Sequence, residues 1–286
     1  MGADAEHRLA IVGAGVMGTG IATLAVGYGV PVTLIDVGES ILAEARTAVA
    51  QQLRLARLMG SLPREGDEGG LVTGVRLADV AAATIVVEAV TERARRKLDI
   101  LAEVSKLVAP GTPLLSNTSA IPIGELAGVT ARPQDVLGVH FMNPPYMIKM
   151  LEVIRGPRTG QEALTRTLAL LDVLERTGVV VGDGPGFVIN RVLQRMINEA
   201  ARIVQDGIAS PEDVDALFTG CLGHRTGPLA TADLIGLDNV ADSLRVLLER
   251  TGDEGYRPCD LLLDKVKAGQ WGRKTGRGFF EYGGTR

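Results

Sequence analysis

The fold of this chain is decided by residues 9–36, which read LAIVGAGVMGTGIATLAVGYGVPVTLID. The stretch Leu9–Ile35 carries no charge over 27 residues, which is long enough to cross a bilayer, but it contains six glycines and Pro31. That composition is typical of a buried strand, a glycine turn, a helix and a second strand, with other layers covering both faces. We therefore interpret the stretch as the start of an α/β core and not as a membrane helix.

A glycine motif follows the first apolar run directly. Gly13, Gly15 and Gly18 have the GxGxxG spacing after Leu9–Val12. In this context the first glycine permits a tight turn, the second lets a pyrophosphate approach the backbone, and the third lets helix and strand pack closely. The phosphates then bind N–H groups at the helix N-terminus, whereas the alternative is a glycine turn without a ligand. The pattern predicts a dinucleotide site formed by Gly13, Gly15, Val16, Met17 and Gly18.

Asp36 ends the second predicted strand, 18 residues after Gly18. At that position a carboxylate can accept hydrogen bonds from both hydroxyls of an adenosine ribose. No Lys or Arg follows immediately, so a 2′-phosphate would meet the carboxylate without a cation to offset it. The sequence therefore predicts NAD in preference to NADP, and the alternative is a solvated Asp at the end of a strand.

Composition narrows the class of protein. The 286 residues are 46% apolar, which is sufficient for a buried core and excludes a disordered or fibrous chain. With 30 Lys+Arg against 34 Asp+Glu the formal charge is -4, so the chain has no net basic field and we expect no nucleic-acid partner.

The termini and the cysteines bear on location. Residues 1–6, MGADAE, lack the basic region of a signal peptide and the pattern of a myristoylation signal. Cys221 and Cys259 have no CxxC spacing, and the histidines do not cluster, so we expect no metal site. We predict a cytoplasmic protein without a membrane partner.

The chain changes character near residue 184. Through the first 180 residues apolar runs alternate with helical patterns, which indicates βαβ units and a parallel sheet. Glycines and Pro185 then interrupt the chain, and almost everything beyond has helical periodicity. We predict an α/β fold with a Rossmann-type NAD-binding domain over residues 1–184 and an all-α C-terminal domain over residues 185–286. The predicted strands are Leu9–Val12, Val32–Val37, Thr84–Val90, Leu114–Ser119, Val136–Phe141 and Leu151–Ile154, and the helices between them are Val16–Tyr28, Ile41–Met59, Arg93–Val108 and Ala163–Thr177.

Local signals define other segments. Ser61–Gly74 is rich in Gly and Pro and is predicted to be an exposed loop. Ser210 and Pro211 have the arrangement of an N-cap and a first-turn proline, which predicts a helix start. Further helices are predicted over Val188–Gln205, Asn239–Arg250 and Asp260–Ala268.

Nicotinamide chemistry needs a base for the alcohol proton, and imidazole suits that task at neutral pH. His7 lies in the N-terminal tail and His224 in a glycine-rich turn, whereas His140 ends a predicted strand, where open α/β sheets bind ligands. Glu152 lies in the next predicted strand, and a carboxylate bonded to one imidazole nitrogen stabilises the imidazolium that forms. We predict that His140 is the base and Glu152 its partner; the alternative is a structural pair.

Seven motifs occur in order along nearly the whole chain. They are residues 13–21 (GAGVMGTGI), 88–92 (EAVTE), 116–119 (SNTS), 140–144 (HFMNP), Glu152, 186–191 (GFVINR) and 274–280 (KTGRGFF). In this order they resemble the L-3-hydroxyacyl-CoA dehydrogenase family, which includes bacterial 3-hydroxybutyryl-CoA dehydrogenases. The resemblance implies a Rossmann domain followed by a helical dimerisation and substrate domain. It also implies NAD-dependent oxidation of the 3-hydroxyl of a short-chain L-3-hydroxyacyl thioester by a homodimer.

The resemblance implies residue roles as well. His140 would be the base and Glu152 its partner, while Ser119 and Asn190 would hydrogen-bond the reacting oxygen or the thioester. Asn143 would order the site around the nicotinamide. On the cofactor side the resemblance places Glu92, Lys97, Asn117, Ser119 and Asn143.

Two departures from the family concern the substrate. The segment Ile41–Gly74 contains no Lys, although the family uses lysines there to hold CoA phosphates. The run Asn143–Tyr146 has two prolines and a Tyr, which is closer to relatives that act on small hydroxy acids. Four arginines of the first segment can substitute for the lysines: Arg46, Arg54, Arg57 and Arg64.

Three alternatives to an enzyme that acts on a CoA ester therefore stay open at this point. The first is a hydroxyacyl group on an acyl carrier protein, as in making a polyketide extender unit. The second is a small free hydroxy acid. The third is a dinucleotide-binding structural protein without activity, against which His140 and Glu152 argue.

Overall fold

A computed structural model describes residues 7–63 and 68–283 of the chain. The chain separates into two compact units, Met1–Gly184 and Pro185–Arg286. The first unit is a sheet with helices and the second is helical, which confirms the predicted fold class. None of the helices within residues 7–63 and 68–283 has the length and hydrophobicity of a membrane-spanning segment.

One sheet organises the first unit. Its strands are β1 (Leu9–Val12), β2 (Val32–Ile35), β3 (Leu71–Gly74), β4 (Ile85–Glu88), β5 (Leu114–Ser116), β6 (Val136–His140), β7 (Met150–Arg155) and β8 (Thr177–Gly182). Their spatial order is β3-β2-β1-β4-β5-β6-β7-β8. Neighbours are parallel except β6 and β7, which are antiparallel, so the predicted parallel sheet contains one antiparallel pair. The chain order reverses at β1, and such a reversal is where open α/β sheets bind ligands.

Helices cover both faces of this sheet, and for that reason β1, β4 and β6 are buried at every position. The helices of this unit are α1 (Val16–Gly27), α2 (Glu39–Leu58), α3 (Ala94–Leu107), α4 (Ile123–Ala127) and α5 (Gln161–Val173), with 3-10 turns at Leu77–Ala82 and Pro133–Asp135. The uncharged stretch therefore forms β1, the glycine turn, α1 and β2, as the sequence predicts.

Two local predictions in this unit are wrong. Leu71–Gly74, predicted to be loop, forms β3 and pairs with β2 in parallel register. The helix predicted to extend to Thr177 ends at Val173, and the Thr177 N–H donates to the Lys149 carbonyl at the start of β8. In both cases hydrogen bonds to a neighbouring strand decide the conformation, and local residue preferences do not contain that information.

The second unit packs its helices around an apolar core. They are α6 (Ile189–Gln205), α7 (Pro211–Leu222), α8 (Pro228–Ile235), α9 (Leu237–Thr251) and α10 (Asp260–Lys267), with 3-10 turns at Glu254–Tyr256 and Arg273–Thr275. The predicted N-cap is confirmed, since the Ser210 hydroxyl accepts the Asp213 N–H. The sequence did not predict α8, whose N-terminal N–H groups at Leu229 and Ala230 donate to the Asp215 carboxylate of α7.

Candidate active site

The turn between β1 and α1 has the shape that a dinucleotide requires. Gly13 has φ 107°, and a Cβ there would lie 2.6 Å from the Ala89 carbonyl oxygen. A Cβ on Gly18 would lie 1.8 Å from the Gly13 carbonyl oxygen, so both positions need glycine. At Gly15 a Cβ would meet no atom within 4 Å. The backbone at Gly15 therefore has open space, which fits a pyrophosphate approaching the turn.

Helix α1 begins directly at this turn. Gly15 is its N-cap in an extended conformation, Val16 is exposed and Met17 is half-buried. Among the described residues no side chain caps this helix, and its first turn contains no acidic residue. Its first N–H groups are thus suited to hydrogen bonds with an anion, which the positive end of the helix dipole favours.

Asp36 follows β2 and lies beside the same turn. Its Oδ2 accepts the Ala14 N–H at 2.7 Å, and its Oδ1 accepts the Val37 N–H at 2.7 Å. A carboxylate oxygen can accept more than one hydrogen bond, so each retains acceptor capacity for a ribose hydroxyl. The Asp36 carboxylate therefore bonds the glycine turn and can still accept the ribose hydrogen bonds that the sequence predicts.

His140 and Glu152 form a buried pair. They are directly opposite each other in the antiparallel register of β6 and β7, and the His140 Nδ1 lies 2.8 Å from the Glu152 Oε2. His140 is 6% exposed and Glu152 is 4% exposed. A carboxylate at this distance accepts the Nδ1 proton, which leaves Nε2 as the basic nitrogen.

A second buried ionic cluster lies at the carboxyl ends of β4 and β5. The Lys97 ammonium is 2.8 Å from the Glu88 Oε1 and 3.2 Å from the Glu92 Oε2. Lys97 and Glu88 are each 1% exposed, and the Ser116 hydroxyl donates to the other Glu88 oxygen at 2.6 Å. No role was predicted for Glu88 from the sequence, although a carboxylate at the end of an apolar strand, nine residues before a Lys, signals a buried partner. The Lys97 ammonium contacts the Glu88 and Glu92 carboxylates and the Val90 carbonyl, and its predicted place on the cofactor side stays a prediction.

Glu92 in turn orders the segment after β5. Its Oε1 accepts the Thr118 hydroxyl at 2.5 Å, the Ser119 N–H at 2.8 Å and the Ser119 hydroxyl at 3.3 Å. Burial by itself raises the pKa of Glu92, but Lys97 and these hydrogen bonds outweigh it, so that the pKa lies below its ordinary value. Glu92 is therefore a carboxylate at neutral pH and holds Ser119 in place through its backbone and side chain.

Residues 141–149, which we name the Asn143 loop, join β6 to β7. The Phe141 N–H donates to the Asn117 Oδ1 at 3.0 Å, which connects the ends of β5 and β6. Asn143 is exposed and precedes Pro144 through a cis peptide bond. Tyr146 is buried in the hydrophobic core of the first unit. The unusual Tyr of this loop therefore contributes to packing.

Comparison with known proteins agrees with this geometry. Residues 8–184 match the family model for the NAD binding domain of 3-hydroxyacyl-CoA dehydrogenase, and residues 186–282 match the model for its C-terminal domain. The chain belongs to the 3-hydroxyacyl-CoA dehydrogenase family. The predicted membership, the predicted cofactor NAD and the predicted class, an NAD-dependent oxidoreductase, are confirmed.

Individual members of the family are similar over their full length. A probable 3-hydroxybutyryl-CoA dehydrogenase of Bacillus subtilis is 41% identical over 96% of this chain and 97% of its own length. The crystal structure of FadB2 from M. tuberculosis has a TM-score of 0.92 and 38% identity, covering 98% of this chain and 100% of that one. The (S)-3-hydroxybutyryl-CoA dehydrogenase PaaH1 from Ralstonia eutropha has a TM-score of 0.90 and 35% identity, with coverage of 98% and 100%. These similarities favour the predicted dehydrogenase of L-3-hydroxyacyl thioesters over a structural protein or a dehydrogenase of free hydroxy acids.

Two other groups of residues from the sequence analysis are far from His140 along the chain, namely Asn190 and the arginines of the lysine-free segment. Asn190 is in the first turn of α6, within the second unit, and its role stays a prediction. In the lysine-free segment Arg46 donates to Thr73 and Arg57 pairs with Glu68, while Arg54 is exposed. Arg64 lies outside the described residues.

Proposed function

We propose that this dehydrogenase oxidises the 3-hydroxyl of a short-chain L-3-hydroxyacyl-CoA, with (S)-3-hydroxybutyryl-CoA as a representative substrate. The observation that carries the proposal is the buried His140–Glu152 pair, at 2.8 Å, at the end of β6. The names of the relatives in Bacillus subtilis and Ralstonia eutropha support this choice of acyl-CoA.

In the proposed reaction the substrate loses a hydride from C3 and a proton from its hydroxyl, and C3 becomes a carbonyl carbon. NAD, when bound, would supply the acceptor for the hydride, and the glycine turn and Asp36 would hold it. His140 Nε2 takes the proton, because Nδ1 is bonded to Glu152. The Glu152 carboxylate then stabilises the imidazolium. Neither an alkoxide nor a protonated ketone is stable at neutral pH, so the two transfers are closely coupled.

Three polar side chains complete the proposed site. Ser119 and Asn190 would hydrogen-bond the reacting oxygen or the thioester, and Asn143 would order the site around the nicotinamide. Glu92 supports this assignment for Ser119, because it accepts both the N–H and the hydroxyl of Ser119 and so fixes the position of that side chain.

The choice of carrier is the point to test. Initial rates of NAD reduction are measured with (S)-3-hydroxybutyryl-CoA, its R enantiomer, free 3-hydroxybutyrate and the same S acyl group on an acyl carrier protein. We expect kcat/KM for the S CoA ester of about 10⁴ M⁻¹s⁻¹ or above, within the usual enzyme range. A carrier-protein substrate turned over at least about tenfold more efficiently would instead indicate polyketide extender-unit synthesis and overturn the CoA assignment.

The finer predictions about assembly and location are part of this proposal. We propose a homodimer, because the second unit exposes Val192, Leu217, Leu222 and Leu234, and apolar side chains at this density favour a partner surface. Sedimentation velocity at micromolar concentration should give twice the chain mass, and Leu217→Asp should shift the species towards the monomer. A monomeric wild-type chain would contradict the proposed homodimer.

A cytoplasmic location is supported by the two free thiols, Cys221 and Cys259.

A further inference from the structure

Arg176 is a buried cation that lies between α5 and β8 and is 3% exposed. Its Nη1 donates to the Leu174 and Glu175 carbonyls, each at 3.1 Å. Its Nε and Nη2 donate to the Asn143 loop, at the Pro145 carbonyl (3.3 Å) and the Tyr146 carbonyl (3.0 Å). All four acceptors are main-chain carbonyls. One guanidinium group therefore joins the end of α5 to the loop between the strands of the His140–Glu152 pair.

The chemistry of this contact requires an arginine. A buried charge is costly unless hydrogen bonds satisfy it, and here four carbonyls do so. The planar fork of the guanidinium can reach two turns at once, whereas an ammonium is a point charge on a flexible stem. The Tyr28 ring covers the guanidinium at 5.6 Å from its Cζ, which adds a cation–π contact.

Helix α1 also restricts the position of the Asn143 loop. A Cβ on Gly20 of α1 would lie 2.7 Å from the Pro145 Cδ, so α1 and the loop are in close contact. The Asn143 loop thus has Arg176 bonded to its carbonyls and α1 packed on its Pro145 ring. Movement of the loop in either direction therefore requires the loss of hydrogen bonds or a steric clash.

We infer that Arg176 is a positioning residue for the dehydrogenase reaction. Through the Pro145 and Tyr146 carbonyls, Arg176 sets the position of the Asn143 loop. It thereby sets the position of Asn143 and of the backbone that follows His140. The inference rests on the proposed function, in which Asn143 orders the site around the nicotinamide. Catalysis is sensitive to such positioning, since a displacement of about 1 Å can cost about 10²-fold in rate.

The test compares Arg176→Lys and Arg176→Met with a matched pair of controls at Arg132. Arg132 also donates to main-chain carbonyls, those of Ser105 and Val108, but it precedes β6 at the opposite end from His140. For each variant we measure kcat and KM, the kinetic isotope effect with substrate deuterated at C3, and the thermal midpoint. NAD affinity by calorimetry and hydrogen exchange of the peptide 141–149 give readouts that do not depend on turnover.

We expect both Arg176 variants to lower kcat by about 10- to 100-fold, to change KM by less than about threefold, and to raise the isotope effect, because hydride transfer becomes slower. Exchange of the peptide 141–149 should be faster than in wild type, while exchange of α2 stays unchanged. Arg176→Lys keeps the charge but should not restore kcat, since one ammonium cannot span both turns. The Arg132 variants should lower the thermal midpoint only.

The outcomes separate this inference from the proposed function. A wild-type chain inactive on 3-hydroxyacyl thioesters would overturn the proposed function, and slower exchange at 141–149 in wild type than in Arg176→Met would still show the loop contact. An active wild type with Arg176 variants that keep wild-type kcat and isotope effect would overturn the inference. If Arg176→Met does not fold, Gly20→Ala tests the same loop through its contact with Pro145 and should lower kcat in the same way. If Gly20→Ala and Arg176→Lys, each as a single variant, then both keep wild-type kcat, the inference about Arg176 would be overturned.

Discussion

The His140–Glu152 pair gives the most demanding prediction. His140→Ala removes the proposed base, and Glu152→Gln keeps the shape of its partner but removes the charge. If the two residues act as one unit, either change should lower kcat strongly, and the double variant should be little worse than His140→Ala. A carboxylate with no imidazolium to stabilise has nothing further to contribute.

The magnitude follows from the geometry of the pair. The Nδ1 and Oε2 atoms are 2.8 Å apart, so the two charge centres are about 4 Å apart, and at an effective dielectric of about 20 their attraction is about 4 kcal/mol. With the proton about half transferred in the transition state, about half of this attraction is lost in Glu152→Gln, which corresponds to about 30-fold in rate. The Gln amide can also donate to Nδ1 and favour the wrong tautomer, which extends the loss towards about 10⁴-fold. His140→Ala should cost about 10²- to 10⁴-fold, the usual contribution of a general base.

The assay is steady-state oxidation of (S)-3-hydroxybutyryl-CoA at saturating NAD, with NAD affinity measured separately by calorimetry. We expect NAD affinity within about threefold of wild type in all three variants, because neither residue belongs to the glycine turn. His224→Ala is the matched control, since His224 is exposed in a loop of the second unit. Strictly additive losses in the double variant, or a His140→Ala enzyme within a few-fold of wild type, would refute the reasoning.

Three further predictions concern the charged residues Asp36, Lys97 and Glu92. Asp36→Asn keeps an acceptor for the glycine turn but removes the charge, so the ratio of kcat/KM for NAD to that for NADP should fall by about tenfold or more; a ratio near one in wild type would contradict the assignment. Lys97→Met leaves the buried Glu88 carboxylate without its cation and should lower the free energy of unfolding by about 3 kcal/mol in urea titrations, and adding Glu88→Gln should restore part of it. Because the folded pKa of Glu92 is below its ordinary value of 4.5, its contribution to stability is complete above that pH and is lost as pH falls through the lowered value. In urea titrations across that range, Glu92→Gln should show a smaller loss of stability on acidification than wild type, and an equal loss would argue against the cluster.

The parts of the molecule that the sequence predicted well are those whose signals are local. The run from Leu9 to Asp36 contains the strand, the glycine spacing and the acidic residue within one short stretch, and its structure follows the prediction closely. Ser210 caps its own helix, so its role was visible within four residues. Local signals suffice here because the interacting groups are near one another in the chain.

The parts that were missed depend on partners far away in sequence. Leu71–Gly74 is a strand because β2 offers hydrogen bonds to it, and α8 begins where Asp215 of another helix accepts its N–H groups. Neither partner lies within the segment, so neither conformation follows from the residues of the segment alone. Periodicity and turn propensity report only on the segment itself.

The same division applies to the site. The sequence indicated which residue types carry the chemistry, namely a glycine turn, a strand-end carboxylate, a histidine and a glutamate. Only the tertiary structure decided that His140 and Glu152 are opposite in register, that Lys97 contacts Glu88 as well as Glu92, and that Arg176 bonds the Asn143 loop. Side chains distant in sequence meet only when the sheet is assembled, and the removal of water at that point determines which charges must pair.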